Sequence, residues 1–226
     1  MYVLNGTKEL KPGKTWIDDN GVQHPGNWAS VWSDDVKASY GIKEVIVQSK
    51  PDDKFYWVGQ RNLDGSWSST PKNTDDVKEV DKDGKALLDE DGNQLVTKGL
   101  KSQWIARTKK TANSLLSATD WQVIAKAERD RAIDSNVATY RAAVIAKCAA
   151  IEKAITDITD TAIPSDLATI QAKDEEDKTD ADKKVVADYE AEVATKFAAF
   201  KKLFDVPVDS DGKPTGNAPI HDWPEE

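Results

Sequence analysis

The chain has 226 residues, a formal charge of −9 at neutral pH, and 38% hydrophobic against 31% charged residues. That is material for one or two domains with a modest core, and the acidic balance argues against wrapping nucleic acid on a broad basic face. The single cysteine, Cys148, rules out an intramolecular disulfide and a cysteine-built zinc cage, and no stretch approaches the ~20 apolar residues of a membrane span.

The opening, Met1-Tyr2-Val3-Leu4-Asn5-Gly6, has no basic region followed by an apolar run. No secretory signal is expected, and the chain is expected to fold in a cytoplasm. Residues 1–100 read as a Trp-rich, mainly β domain of short strands and turns. Asp34 to Tyr40 is a short helix, with Ser33 or Asp34 as its cap and Gly41 as its stop. Ile42 to Gln48 and Lys54 to Gly59 are β-branched and aromatic runs, with a turn at Pro51-Asp52-Asp53 between them. Asn62 to Trp67 supplies a tight turn around Asp-Gly. An antiparallel meander is expected from these pieces.

Asp81-Lys82-Asp83-Gly84 and Asp89-Glu90-Asp91-Gly92 are two similar turns, flanked by Ala86-Leu87-Leu88 and Gln94-Leu95-Val96. They predict a small exposed ribbon. A calcium loop would place its glycine sixth, after acidic or amide groups at the first, third and fifth positions. Here glycine is fourth and Lys85 and Asn93 hold the fifth positions, so solvated hairpin turns are the better reading.

Residues 101–205 switch to helical grammar. Lys101 to Ser117 predicts a helix with Trp104, Ile105, Thr108, Ala112 and Leu115 on one face. Ser117, Thr119 and Asp120 offer side-chain oxygens where one helix stops and another starts. Trp121 then falls in a first helical turn, where its ring covers a helix–helix corner. Val137, Tyr140, Val144, Cys148, Ile151, Ile155 and Ile158 form one apolar stripe, and Val186, Tyr189, Val193, Phe197, Phe200 and Phe204 form another. Pro164 separates the two, and they are expected to pack as an antiparallel pair. Cys148, on the first stripe, reads as a buried, inert thiol. Lys173 to Lys184 is nearly all charged and reads as a solvated face. Residues 206–226 hold Pro207, Pro214, Pro219 and Pro224 and are expected to be an extended tail. The tail's Ile220-His221-Asp222-Trp223 cluster either lies on another protein's surface or tucks back onto its own domain.

No residue set looks catalytic. His24 and His221 lie at opposite ends of the chain, and no nucleotide-cradling loop or nucleophile elbow occurs. No metal or cofactor is expected. The strongest enzymatic alternative is a glycosidase-like carboxylate pair drawn from Asp18, Asp19, Asp34 and Asp35 beside Trp16, Trp28 and Trp32. The same tryptophans also read as the core of a small β domain, which is preferred, or as sugar-binding faces.

The ordered set Leu115-Leu116, Thr119-Asp120-Trp121 and Tyr140-Arg141-Ala142-Ala143 resembles small tail-associated and tail-fibre assembly proteins of tailed bacteriophages. A second pattern runs Trp16-Ile17-Asp18-Asp19-Asn20-Gly21-Val22, then His24-Pro25-Gly26-Asn27-Trp28, then Tyr40-Gly41-Ile42-Lys43-Glu44-Val45. It is similar to the opening of many phage structural proteins, where an aromatic–Asp–Gly hairpin and a Pro-x-x-Trp step precede a helix ending in Gly-Ile.

The fold expected is α+β: a Trp-rich antiparallel β N-terminal domain, an all-α helical-hairpin domain, and an extended C-terminal tail. The resemblance implies a non-enzymatic virion structural protein, made in the bacterial host cytoplasm and placed at the tail or fibres as an adaptor. Its partners would be other tail, fibre or baseplate subunits, in a homo-oligomer or a larger assembly. A tail-fibre assembly chaperone is the first alternative, and a glycan-binding or glycan-cleaving receptor module the second. Trp121, Tyr140 and Arg141 carry over as signature residues for partner contact, and Trp223 is added as a contact residue of the tail.

Overall fold

The computed structural model describes residues 1–225. The chain is α+β: small antiparallel sheets in the N-terminal part, then helices. It divides into two compact units, Met1–Lys72 and Asn73–Glu226.

In the first unit, β1 (Tyr2–Leu4) is the central strand between β2 (Lys8–Leu10) and a later strand. A separate hairpin joins β3 (Trp16–Ile17) to β4 (Gln23–His24), with Trp16 opposite His24. Two short helices follow, α1 (Trp28–Val31) and α2 (Asp34–Ser39). As expected, Ser33 caps α2: its hydroxyl accepts the Val36 N–H at 3.3 Å, while Gly41 ends the turn at φ +73°. The chain then enters β5 (Ile42–Glu44), which pairs with β1 in the register Val3 opposite Lys43. The last hairpin is β6 (Tyr56–Arg61) with β7 (Trp67–Pro71), closed by the Asn62–Ser66 turn.

The single meander expected for this region is therefore split. Runs 42–48 and 54–59 do not pair across Pro51: the first joins β1 and the second joins β7. Beyond β5, the Gln48 N–H and C=O are taken by the Gly65 carbonyl and the Trp67 indole N–H, at 2.9 and 3.0 Å. The core gathers Leu4, Leu10, Trp16, Trp28 and Ile42, with Tyr2, Ala29 and Trp32 packed against it. Trp28 is fully buried, its indole N–H donates to the Lys14 carbonyl at 3.3 Å, and Tyr2 meets it edge-on at 5.1 Å.

The second unit begins with the ribbon of β8 (Val77–Lys78) and β9 (Val96–Thr97), extended by bridges Val80–Ala86 and Leu88–Gln94. The expected boundary after residue 100 and the observed one after Lys72 differ for a physical reason. Residues 73–76 bind the start of α3 (Leu100–Ser117): the Leu100 and Lys101 N–H groups donate to the Asn73 and Thr74 carbonyls at 2.9 and 3.1 Å. Asp76 accepts the Gly99 N–H at 2.9 Å. Burial opposes ionisation of Asp76, but hydrogen bonds from Lys98, Ser102 and Gly99 outweigh it and hold its pKa below the usual value. Gly99 is needed for this approach, because a Cβ there would run into the Asp75 and Thr74 backbone.

The ribbon turns at Asp81 and Asp89 share one construction with those at Asp18 and Asp209. In each, the aspartate Oδ1 accepts N–H groups two and four residues on, at 2.8–3.0 Å. The glycine in fourth place lies at φ between +75° and +83°. The leading carboxylates thus close backbone turns. Among the described residues no group of three or more His, Cys, Asp or Glu is placed to hold a metal.

The remaining helices are α4 (Asp120–Arg129), α5 (Ser135–Thr156), α6 (Leu167–Gln171) and α7 (Asp180–Lys202). The expected stripes hold: Val144, Ile151 and Ile155 are buried on α5, and Phe197 and Phe200 on α7. The expected face of α3 holds too, with Thr108 and Ala112 buried and Trp104, Ile105 and Leu115 half-buried. Their pairing differs from expectation: the closest helix pair is α3 with α5, whereas α7 lies closest to α6. Contacts between Arg141 and Leu116, Lys109 and Glu152, and Lys101 and Ile158 fix the α3–α5 pair as antiparallel. Adjacency in sequence favoured α7 as the partner, but these contacts and the Lys101–Asp160 pair hold α3 beside α5.

α7 opens with a capping box: the Thr179 hydroxyl accepts the Asp182 N–H, and Asp182 accepts the Thr179 N–H. The Lys173 ammonium donates to Asp182 at 2.7 Å. Hydrogen bonds from Lys173 and then from Thr179 lower the Asp182 carboxyl from 3.8 to about 2. A depressed carboxyl stabilises the fold above its unfolded pKa and loses that contribution as pH falls through the folded one. Acid is therefore expected to loosen the first turn of α7 as pH falls from 3.8 towards about 2. A carboxyl carbon-13 titration of Asp182 would check this, and a midpoint near 3.8 would refute it. Asp182→Asn should remove the effect.

Candidate functional site

Two places gather side chains with chemistry, one in each unit. In the first unit, Trp16, His24, Trp32 and Tyr40 cluster. His24 stacks on Trp16 at 4.3 Å, Trp32 stacks on Tyr40 at 4.9 Å, and the two pairs meet edge-on. The hairpin register places Trp16 and His24 side by side on the inner face. The Asp18 carboxylate lies 3.1 Å from His24 Nε2. The Asp18 pKa is lowered, first by the Val22 N–H, against burial, and then by His24 and the Asn20 N–H. The Trp16 indole N–H is buried without an acceptor.

The four carboxylates considered for sugar cleavage have separate employments. Asp18 closes its turn and holds His24, and Asp19 accepts from the Asn5 amide at 3.3 Å. Asp34 pairs with Lys37 at 3.1 Å, and Asp35 sits exposed beside it in the first turn of α2. Trp16 and Trp28 are core residues.

The second place is the corner where α3, α4 and α5 meet. The helix break falls where expected, between Ser117 and Asp120, but its chemistry differs. The Thr119 hydroxyl makes no cap; it donates back to the Leu116 carbonyl at 3.0 Å. Arg141 closes the corner. One guanidinium nitrogen reaches the Leu116 carbonyl and the Thr119 hydroxyl, each at 2.8 Å, and lies 2.9 Å from Asp120. Arg141 is thus engaged within its own chain. The end of α3 leaves carbonyls without helical partners, and the guanidinium supplies a donor to one of them. Tyr140, its neighbour, is half-buried on α5.

Gln122 is the polar residue that sequence reasoning missed. It is buried, its amide nitrogen donates to the Asp134 carboxylate, and its amide oxygen accepts the Asp134 N–H, both at 2.9 Å. This two-point clasp ties α4 to the start of α5. By turning Gln122 inward, it turns the apolar face of α4 outward. Trp121, Val123 and Ile124 are 51%, 39% and 54% exposed. Trp121 therefore does not bury itself in the corner; its ring lies beneath the Arg131 guanidinium at 5.4 Å.

Trp223 is half-buried on its own unit, the second of the two placements expected for the tail cluster. Ala218 and Ile220 are buried, the Ile220 N–H donates to the Leu203 carbonyl at 3.2 Å, and Asp222 pairs with Lys147 at 2.8 Å. Burial of Ile220 beside Ile151 and Leu203 supplies the apolar driving force for this return.

Cys148 is half-buried, and its thiol is pushed up to about 11 by burial and then by the Glu152 carboxylate 3.2 Å away. That matches an inert thiol. No described helix is long and apolar enough to cross a membrane. No protein-family model matches the chain, and no curated protein or solved structure matches it either.

Proposed function

We propose that this chain is a virion structural protein of a tailed bacteriophage, associated with the tail or fibres, that works as an adaptor through protein contacts and without a catalytic step. One observation carries the reading: α4 buries its glutamine and presents Trp121, Val123 and Ile124 to solvent. An amphipathic helix turned that way forfeits the favourable burial of its apolar side chains until another surface covers it. A tryptophan flanked by aliphatic residues is a common centre of protein interfaces. The same helix opens on Asp120-Trp121, part of the ordered set that carries the phage resemblance. The partners are other tail, fibre or baseplate subunits, the site of action is the virion, and synthesis is in the host cytoplasm.

Mass spectrometry of purified particles tests this reading. Stoichiometric copies in mature virions support it. Presence only in lysates would favour the transient assembly chaperone instead. Trp121→Ala combined with Ile124→Ser should leave the fold intact, because neither side chain is in the core, and cut incorporation by at least about tenfold. Normal incorporation of that variant would sink the role given to α4.

A further inference from the structure

The flank of α3 that faces the C-terminal segment holds a set of polar groups with nothing to bind. α3 carries Lys101, Arg107, Lys109 and Lys110 and no acidic residue, in a chain whose net charge is −9. Lys101 is paired with Asp75 and Asp160, and Lys109 with Glu152. Among the described residues, Arg107 and Lys110 have no carboxylate partner, and both line an open cleft of about 220 Å³.

Thr108 lines the same cleft and is only 4% exposed. Helical threonines elsewhere in the chain satisfy their hydroxyls internally: Thr139, Thr156 and Thr195 each donate to the carbonyl four residues back, at 2.8–3.0 Å. The hydroxyls of Thr108 and Thr111 have no such bond among the described residues. Both hydroxyls are thus left to a ligand or to water.

Arg107 is held for binding. Its guanidinium lies over the Trp104 ring at 4.8 Å, and Phe204 braces that ring edge-on at 4.6 Å. A guanidinium fixed in this way presents its fork to an anion with little orientation left to lose. Across the cleft, Ile220 and Trp223 form an apolar wall, with the His221 ring between them.

We propose that this cleft binds an acidic monosaccharide unit, a carboxylate carried on a hydroxyl-bearing saturated ring. The carboxylate meets Arg107 and Lys110, the ring hydroxyls meet Thr108 and Thr111, and the apolar ring face rests on Trp223 and Ile220. The volume is below the ~300–1,000 Å³ of drug-sized pockets and suits one ring. A simple anion leaves the apolar wall idle, a neutral sugar leaves two cations unpaired, and an acidic peptide side chain leaves the threonine hydroxyls unpaired. The inference stands apart from the virion reading, since it rests on a different surface.

The test is a titration of the full chain with methyl glucuronide, methyl glucoside, acetate and an aspartate-bearing peptide, followed by the indole N–H resonances of Trp104 and Trp223. Saturable shifts with the glucuronide alone are expected. Arg107→Gln and Lys110→Gln should each weaken binding by about tenfold or more, with the remaining amide spectrum unchanged. Thr108→Val should weaken it severalfold. No saturable shift with the glucuronide, equal affinity for acetate, tighter binding of the peptide, or indifference to the two charge substitutions would each overturn the assignment.

Discussion

Trp28→Ala is expected to destabilise the N-terminal unit by about 3–5 kcal/mol, the usual loss when a buried aromatic ring is deleted from a core. Trp28 is fully buried, so no part of the ring's contribution is already made by water. It also supplies the indole N–H that binds the Lys14 carbonyl and the ring face that Tyr2 abuts. At roughly 0.05–0.15 kcal/mol per residue, a unit of this size has only about 4–11 kcal/mol in total. The substitution should therefore remove a large share of it. Urea unfolding followed by the amide resonances of residues 1–72 would measure the loss. Trp28→Phe, which keeps a ring and loses the N–H, should cost roughly half as much. A loss below about 1 kcal/mol for the alanine variant would mean the cavity collapses without penalty, and the account of this core would be wrong.

Lys101→Met is expected to cost the helical unit about 2–3 kcal/mol, somewhat below the ~3–5 kcal/mol of a fully buried pair because Asp160 is largely solvated. Lys101 is a buried lysine at the first turn of α3. Its ammonium donates to the Ile158 carbonyl at 2.9 Å and to Asp160, and lies 2.6 Å from Asp75 Oδ1, outside hydrogen-bond geometry. Asp75 in turn accepts the Thr161 N–H at 2.9 Å. One cation thus holds the segment after α5 against the start of α3. Burial works against the ammonium, yet Asp160 and Asp75 outweigh it and raise its pKa above 10.5. A raised lysine stabilises the fold fully below its unfolded pKa, and the contribution disappears as pH rises through the folded one. The gap between wild type and Lys101→Met should therefore hold at neutral pH and narrow in strong base. Adding Asp75→Asn to Lys101→Met should recover part of the loss, since it removes the stranded charge. Additivity of the two would refute the coupling.

What was legible in the sequence was what depends on near neighbours. The Ser33 cap, the Asp-Gly turns, the face of α3 and the apolar stripes of α5 and α7 are set by residues within a few positions, and the periodicity records them. Pairing was not legible in the same way. Ile42 could have met residues 54–59 across a short turn, and only the presence of Tyr2–Leu4 as a central strand decides otherwise. The stripe on α5 has the same period whichever helix covers it.

The corner was read correctly as a corner and misread in its chemistry. Arg141 reaches back 25 positions to Leu116, and Gln122 forward 12 to Asp134. A side chain's local context carries no mark of such a partner. The nearest available signal was Arg141 itself, set beside Tyr140 and Ala142 on the apolar stripe that starts at Val137, where a guanidinium needs acceptors. Trp121 followed from Gln122: once the amide points in, the indole points out.

The ribbon ahead of α3 also offers a place to label this protein. Its two tips, at Asp83-Gly84 and Asp91-Gly92, project into solvent, and each hairpin is closed by its own leading carboxylate. Lengthening such a loop costs little chain entropy, since the penalty grows only with the logarithm of its length. An epitope or fluorophore spliced between Glu90 and Asp91 would replace that turn, ride on the Leu88–Gln94 bridge as its stem, and leave the α4 face and the cleft beside α3 free.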